Sequence, residues 1–142
     1  MPFPYLRKSN SEEDTITIAN EFSGLIKTGM VIILNGELGV GKTFFIKKIL
    51  EKNLINNSNS PTFAIVNEYE GEHKFYHFDF YRINTEAELH DIGIEDYFRD
   101  MESIIFIEWG NLFPKVLPRE RIEIKISYSV NNERIFSFEQ YE

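Results

Sequence analysis

Cysteine is absent from the chain. Disulfides, a thiolate nucleophile and zinc–thiolate sites are therefore excluded. Positive charge is also scarce: 15 Lys and Arg stand against 23 Asp and Glu, a formal net charge of −8. That balance argues against a large nucleic-acid footprint, which needs clustered Lys and Arg. No apolar run approaches the ~20 residues of a membrane span, so no membrane partner is expected. The opening "MPFPYLRKSN" is short, broken by proline and followed by acids, unlike a secretory leader. These absences set the expectation of a cytoplasmic protein.

What is present suits a globular chain. Hydrophobic residues make up 42% and aromatics 15%, enough for a real core, and 142 residues fit one domain spanning 1–142. Charge is uneven. Residues 1–50 carry six Lys and Arg against five acids, and residues 51–142 carry nine against eighteen. The acidic excess is either a solvated surface or a face for a basic partner.

The chain reads as alternating helices and strands. "NSEEDTITIANEFSGLIKTG" is a helix by its apolar spacing at Ile18, Phe22, Leu25 and Ile26. Asn10 or Ser11 caps it, Glu12, Glu13 and Asp14 suit its positive end, and Gly29 is the expected stop. "MVIIL" at 30–34 is short and wholly apolar, as expected for a strand buried on both faces of a parallel sheet. A helix of apolar Phe45, Ile46, Ile49 and Leu50 follows residue 43. "NSNSPT" at 57–62 is a loop. "FAIVNEYE" and "KFYHFDFYR" flank Gly71 as two strands joined by a turn. Alternation puts Phe75, His77 and Asp79 on one face and Tyr76, Phe78 and Phe80 on the other. "TEAELHDI" opens with a capping-box pattern, Thr85 to Glu88, and "GIEDYFRDM" is a second short helix. "SIIFIEW" at 103–109 is an apolar strand ending in an acid, and "RIEIKISYS" with "ERIFSFE" forms an antiparallel hairpin.

Between the strand at 30–34 and its helix lies "GELGVGKT". It satisfies the P-loop pattern through Gly36, Gly41, Lys42 and Thr43, and it has the strand-before, helix-after context that the pattern requires. In such a loop the backbone N–H groups of Gly36, Glu37, Leu38, Gly39, Val40 and Gly41 approach phosphates. Lys42 reaches the β- and γ-phosphates and Thr43 ligates Mg²⁺. A carboxylate near the metal is also needed, at the end of a neighbouring strand. Glu108 and Asp79 both fit; the alternative for each is a solvated strand end or a salt bridge. Thr62 in "SPTF" is either a switch-loop hydroxyl that senses the γ-phosphate or a strand cap. His77 is a packed strand histidine or a catalyst, Arg82 a surface arginine or a phosphate neutraliser. Trp109, the one tryptophan, packs in the core or contacts the nucleotide site.

In order, "GELGVGKT", "SPTF", "HFDFYR", "LHDIGIEDYF" and "FIEWG" resemble the TsaE (YjeE) family, the bacterial P-loop ATPases of tRNA threonylcarbamoyladenosine (t6A) biosynthesis. The likeness covers about residues 11–128. The P-loop is shared with many nucleotide-binding proteins; "SPTF", H-x-D-x-Y-R and I-E-W at these spacings are specific together. The resemblance implies that ATP and Mg²⁺ are the ligands. It implies that Asp79, Glu108 and Lys42 act in hydrolysis, with Thr43, Asp79 and Glu108 at the metal. It also implies a switch-like loop at Thr62 and Trp109 near the nucleotide. The implied partners are TsaB and TsaD, with tRNA reached only through that pair, and ATP hydrolysis supports their repeated turnover. Three positions depart from the family: Val40 stands where Ala is frequent, Phe44 where a small polar residue is, and Asn111 where the last acid of I-E-W-x-E falls.

Other functions compete. A small P-loop kinase needs an acceptor pocket and an arginine-bearing lid, yet residues 83–103 hold only Arg99. A nucleotide-gated binding module needs ATP bound but hardly turned over. No N-K-x-D guanine signature occurs, which disfavours a GTPase. The expected fold is α/β: a three-layer P-loop NTPase domain with a mixed, mostly parallel sheet and a C-terminal antiparallel hairpin.

Overall fold

The apolar run at Val31–Gly36 (β2) becomes the centre of the structure because both its faces find cover. The computed structural model describes residues 2–55 and 65–142. The strands around β2 are β1 (Tyr5–Ser9), β3 (Val66–Glu70), β4 (Lys74–Asp79), β5 (Ser103–Glu108), β6 (Arg121–Tyr128) and β7 (Arg134–Tyr141). They form one seven-stranded sheet in the order β1-β7-β6-β2-β5-β4-β3. β6, β2, β5 and β4 run parallel, while β1–β7, β7–β6 and β4–β3 pair antiparallel. The mixed sheet and the C-terminal hairpin agree with the sequence reading.

Among the described residues four α-helices cover the sheet: α1 (Glu12–Ser23), α2 (Lys42–Lys52), α3 (Glu86–Asp91) and α4 (Ile94–Arg99). On one face, Ile18, Ala19 and Phe22 of α1 and Phe45, Ile46 and Ile49 of α2 meet Ile32, Leu34, Phe106, Ile124, Phe136 and Phe138. The other face, of Val31, Ile33, Phe78, Ile105 and Ile107, meets Leu89 of α3 and Ile94 of α4. Alternation along β2 thus delivers Ile32 and Leu34 to one layer and Val31 and Ile33 to the other.

Local chemistry sets the element ends. Ser11 caps α1 by accepting the Asp14 N–H at 3.1 Å, and Thr85 with Glu88 makes the expected capping box on α3. Two boundaries differ from the sequence reading, and one strand is additional to it. Helix α1 ends at Gly24, not Gly29, and Leu25 and Ile26 pack on the core from beyond the helix. Gly29, at φ 90°, instead donates its N–H to Ser103 O at 2.7 Å and aligns the chain for β2. β4 stops at Asp79 rather than running to Arg82. The Asp79 side chain accepts the Tyr81 N–H at 3.1 Å and starts a single 3-10 turn, Phe80–Arg82, a local bond that competes with the strand ladder. β1 was not anticipated; it is made by pairing with β7, since its own five residues carry little periodic signal.

Candidate functional site

β4 and β5 end level with one another, and β2 runs two residues further, to Gly36. Leu34 is the register partner of Glu108, and Asp79 is the partner of Glu108 on the opposite side. Beyond these carboxyl ends the chain turns through the glycine-rich loop into α2. Gly41 occupies the left-handed region at φ 113°, where a side chain would be strained, and caps α2 with no side-chain bond. At Gly36 an added Cβ would lie 2.7 Å from Ile126 O, so the loop can leave the sheet this closely only without a side chain. The first turn of α2 therefore presents open N–H groups and the positive end of a helix dipole to a cleft of about 530 Å³.

Lys42, Thr43, Asp79, Glu108 and Trp109 all line this cleft, with Leu38, Gly39 and Gly41 of the loop. The Lys42 side chain folds along the loop. Its Nζ donates to Gly36 O and, at 3.3 Å, to Glu37 O, and lies 3.9 Å from the centre of the Trp109 ring. Burial pushes the Lys42 ammonium below its ordinary range, and the charges of Glu108 and Asp79 oppose that shift. Trp109 sits at φ 63°, a strained conformation for a bulky residue, with its N–H on Leu34 O at 3.3 Å and its ring 5.0 Å from that of Tyr81.

Glu108 is 6% exposed. Its carboxylate accepts the Thr43 hydroxyl, with Oγ1 at 3.0 and 2.9 Å from its two oxygens, and lies 2.7 Å from His77 Nε2. Asp79 is more open. It holds the Tyr81 N–H and lies 3.7 Å from Arg82 Nε.

These five expected residues thus meet in one place, together with Gly39, Gly41 and Leu38. Gly36 and Glu37 touch the site through their carbonyls, and Val40 lies on the far side of the loop, buried in the core. Thr62 lies outside the described residues. His77, ambiguous in the sequence, is part of the site through Glu108, and the H-x-D alternation already put it on the same face as Asp79. Arg134 was missed. Its Nε donates to Val40 O at 2.7 Å from 94 residues away, and no local pattern signals such a contact.

The donor set suits a hydrated magnesium ion. Among the described residues no three His, Asp or Glu side chains converge as a protein cage. One hydroxyl and two carboxylates are the few oxygen donors expected for an ion that keeps waters and phosphate oxygens as its other ligands. The Lys42 ammonium, whose hydrogen-bond acceptors are neutral carbonyls, fits an anionic group in the cleft.

A strand–loop–helix of this shape, with acids at the ends of two adjacent parallel strands, defines the class: a P-loop NTPase fold. Comparison with known proteins narrows it. Residues 9–136 match the family described as threonylcarbamoyl adenosine biosynthesis protein TsaE. The chain is 38% identical over 128 residues to the tRNA threonylcarbamoyladenosine biosynthesis protein TsaE of Bacillus subtilis, covering 89% of this chain and 79% of that protein. The same-named protein of Rickettsia bellii is 33% identical over 129 residues, covering 89% and 88%. The crystal structure of Bacillus subtilis YdiB superposes with a TM-score of 0.82 at 31% identity, over 100% of this chain and 88% of that one. The chain belongs to the TsaE family of t6A biosynthesis. Among the described residues no helix is long and apolar enough to cross a membrane.

Proposed function

We propose that this chain, acting as a single cytoplasmic domain, binds ATP with Mg²⁺ in the cleft, hydrolyses it, and so drives turnover of a TsaB–TsaD complex in t6A modification of tRNA. The observation that carries the reading is the convergence of Lys42, Thr43 and the buried Glu108 at the open N-terminus of α2. In this reading Lys42 leaves its carbonyl partners for phosphate oxygens, exchanging neutral acceptors for charged ones. The loop N–H groups from Gly36 to Gly41 hold the phosphate chain, except that of Val40, which donates to Glu37 O at 3.1 Å, and Trp109 borders the chain. Thr43, Asp79 and Glu108 would supply the metal's protein oxygens, and a bound Mg²⁺ would supply neutralising charge for the phosphates. A water oxygen attacks the γ-phosphorus, the bond to the bridging oxygen breaks, and ADP and phosphate leave; in this reading the carboxylates Asp79 and Glu108 orient that water and take its proton.

Family membership supports the TsaB–TsaD partnership. The net charge of −8 supports a role in which the partner pair, not this chain, holds the tRNA. A kinase is less well supported: Arg99 pairs with Asp96 at 3.1 Å on the outer side of α4 and does not line the cleft, where Arg82 is the one arginine among the described lining residues and lies 3.7 Å from Asp79. The test is phosphate release from ATP by the purified chain alone and with TsaB–TsaD. Slow release that rises with the pair is expected. Release unchanged by the pair would refute the partner-driven role, and a phosphorylated metabolite in place of free phosphate would establish a kinase.

A further inference from the structure

The phosphate loop is held from behind by a residue of the hairpin. Arg134, the first residue of β7, donates its Nε–H to Val40 O at 2.7 Å. The guanidinium is half-buried and lies 5.6 Å from the centre of the Tyr128 ring on the paired strand. The loop has two sides here. Val40 and Arg134 line a small recess of about 50 Å³. Lys42 and Thr43 line the large cleft, and Gly41 and Phe44 border both.

Peptide geometry links the two sides. In a planar trans peptide the C=O and the following N–H point in opposite directions. Fixing Val40 O outward on Arg134 therefore turns the Gly41 N–H the other way, toward the cleft. That N–H donates to no acceptor within the described residues. Gly41, at φ 113°, has no side chain to restrict its backbone, so the peptide before it needs an outside anchor. A charged donor also polarises the peptide and strengthens its N–H as a donor.

We propose that Arg134 is a positioning residue: it orients the Val40–Gly41 peptide so that the Gly41 N–H is preset for a nucleotide phosphate. This rests on the nucleotide-binding reading above and adds to it a residue outside the P-loop motif. It also makes the C-terminal hairpin part of the site, since the ladder from Arg134 to its partner Tyr128 sets where the guanidinium stands.

The test is calorimetric binding of Mg–ADP to the wild-type chain and to Arg134→Met, which keeps an apolar stem without the donor. Arg134→Lys is the conservative control. Loss of a charge-assisted bond predicts a Kd raised about tenfold or more in Arg134→Met, with most of the affinity restored in Arg134→Lys. In steady state the loss should appear in KM for ATP with kcat little changed. In ¹⁵N spectra the Gly41 amide should shift on adding Mg–ADP to the wild type and shift less in the Met variant. A purely structural role would lower the melting temperature but leave Kd and the Gly41 response of the folded protein untouched, and that result overturns the proposal. Should Arg134→Met not fold, Arg134→Gln reads the same Kd. A wild-type chain that binds no Mg–ADP overturns the nucleotide reading itself, whereas tight wild-type binding matched by the Met variant overturns only the role of Arg134.

Discussion

The two faces of the sheet are built differently. On one, α1 and α2, of 12 and 11 residues, lie over a tilted aromatic group: Phe45 is 5.1 Å from Phe136 and 6.2 Å from Phe22, ring centre to ring centre. On the other, α3 and α4 have six residues each and depend on caps and exposed polar pairs as well as on Leu89 and Ile94. Helices this short gain little from propensity and need tertiary packing and caps to persist. The lesson concerns rigidity. The helix that carries Lys42 and Thr43 is anchored by large buried rings, so the loop before it can hold open N–H groups and a left-handed glycine without collapsing. The thin face carries no residue of the P-loop.

Substitutions can break this comparison. The largest loss of stability belongs to Phe45→Ala, which empties a fully buried ring site on the thick face and should cost about 3–5 kcal/mol. Urea denaturation measures it. Phosphate release per folded molecule should change far less, and a loss of activity without a loss of stability would contradict the anchoring role. At the sheet end the signs reverse. Lys42→Ala should cut both nucleotide binding and phosphate release, by at least on the order of a hundredfold for release, while the melting temperature holds, because the buried ammonium gains little from its neutral partners. Glu108→Ala should lower release by about 10²–10³-fold and spare much of the ADP affinity. Normal turnover by that variant would remove Glu108 from the metal site.

The smallest effect is expected on the thin face. His90 bonds to Glu95 and, at 3.4 Å, to Glu86, and these hydrogen bonds raise its pKa above 6.5. A raised folded-state pKa means that the stabilisation is fully present below about pH 6.5 and fades as pH rises through the folded value. His90→Ala should therefore flatten the pH dependence of stability just above that point, measured by thermal melts across the neutral range, and leave phosphate release unchanged. A shift as large as that of Phe45→Ala would show that the two faces are equally critical.

Short-range chemistry is legible in the sequence alone. The P-loop, the strand before it, the capping box at Thr85 and the hairpin at 121–141 each arise within one element or one turn, where periodicity, caps and glycine placement act. Asp79 and Glu108 were legible because each is an acid closing an apolar strand. The ends of α1 and β4 were misjudged for a related reason: Gly24 competes with Gly29, and Asp79 bonds to its own following turn, choices that differ by a single hydrogen bond.

Tertiary structure alone decided the rest. The strand order puts Asp79 and Glu108 level, brings His77 within 2.7 Å of a carboxylate 31 residues away, and folds Arg134 behind a loop 94 residues earlier. It also gives β1 its existence, through its pairing with β7. Such contacts depend on which strands become neighbours, and that is settled by how two apolar faces are buried together, not by any pattern local to the residues involved. What the sequence by itself determined was the kind of phosphate loop and the acids to look for. Which side chains hold that loop and those acids in place was determined only when the sheet assembled.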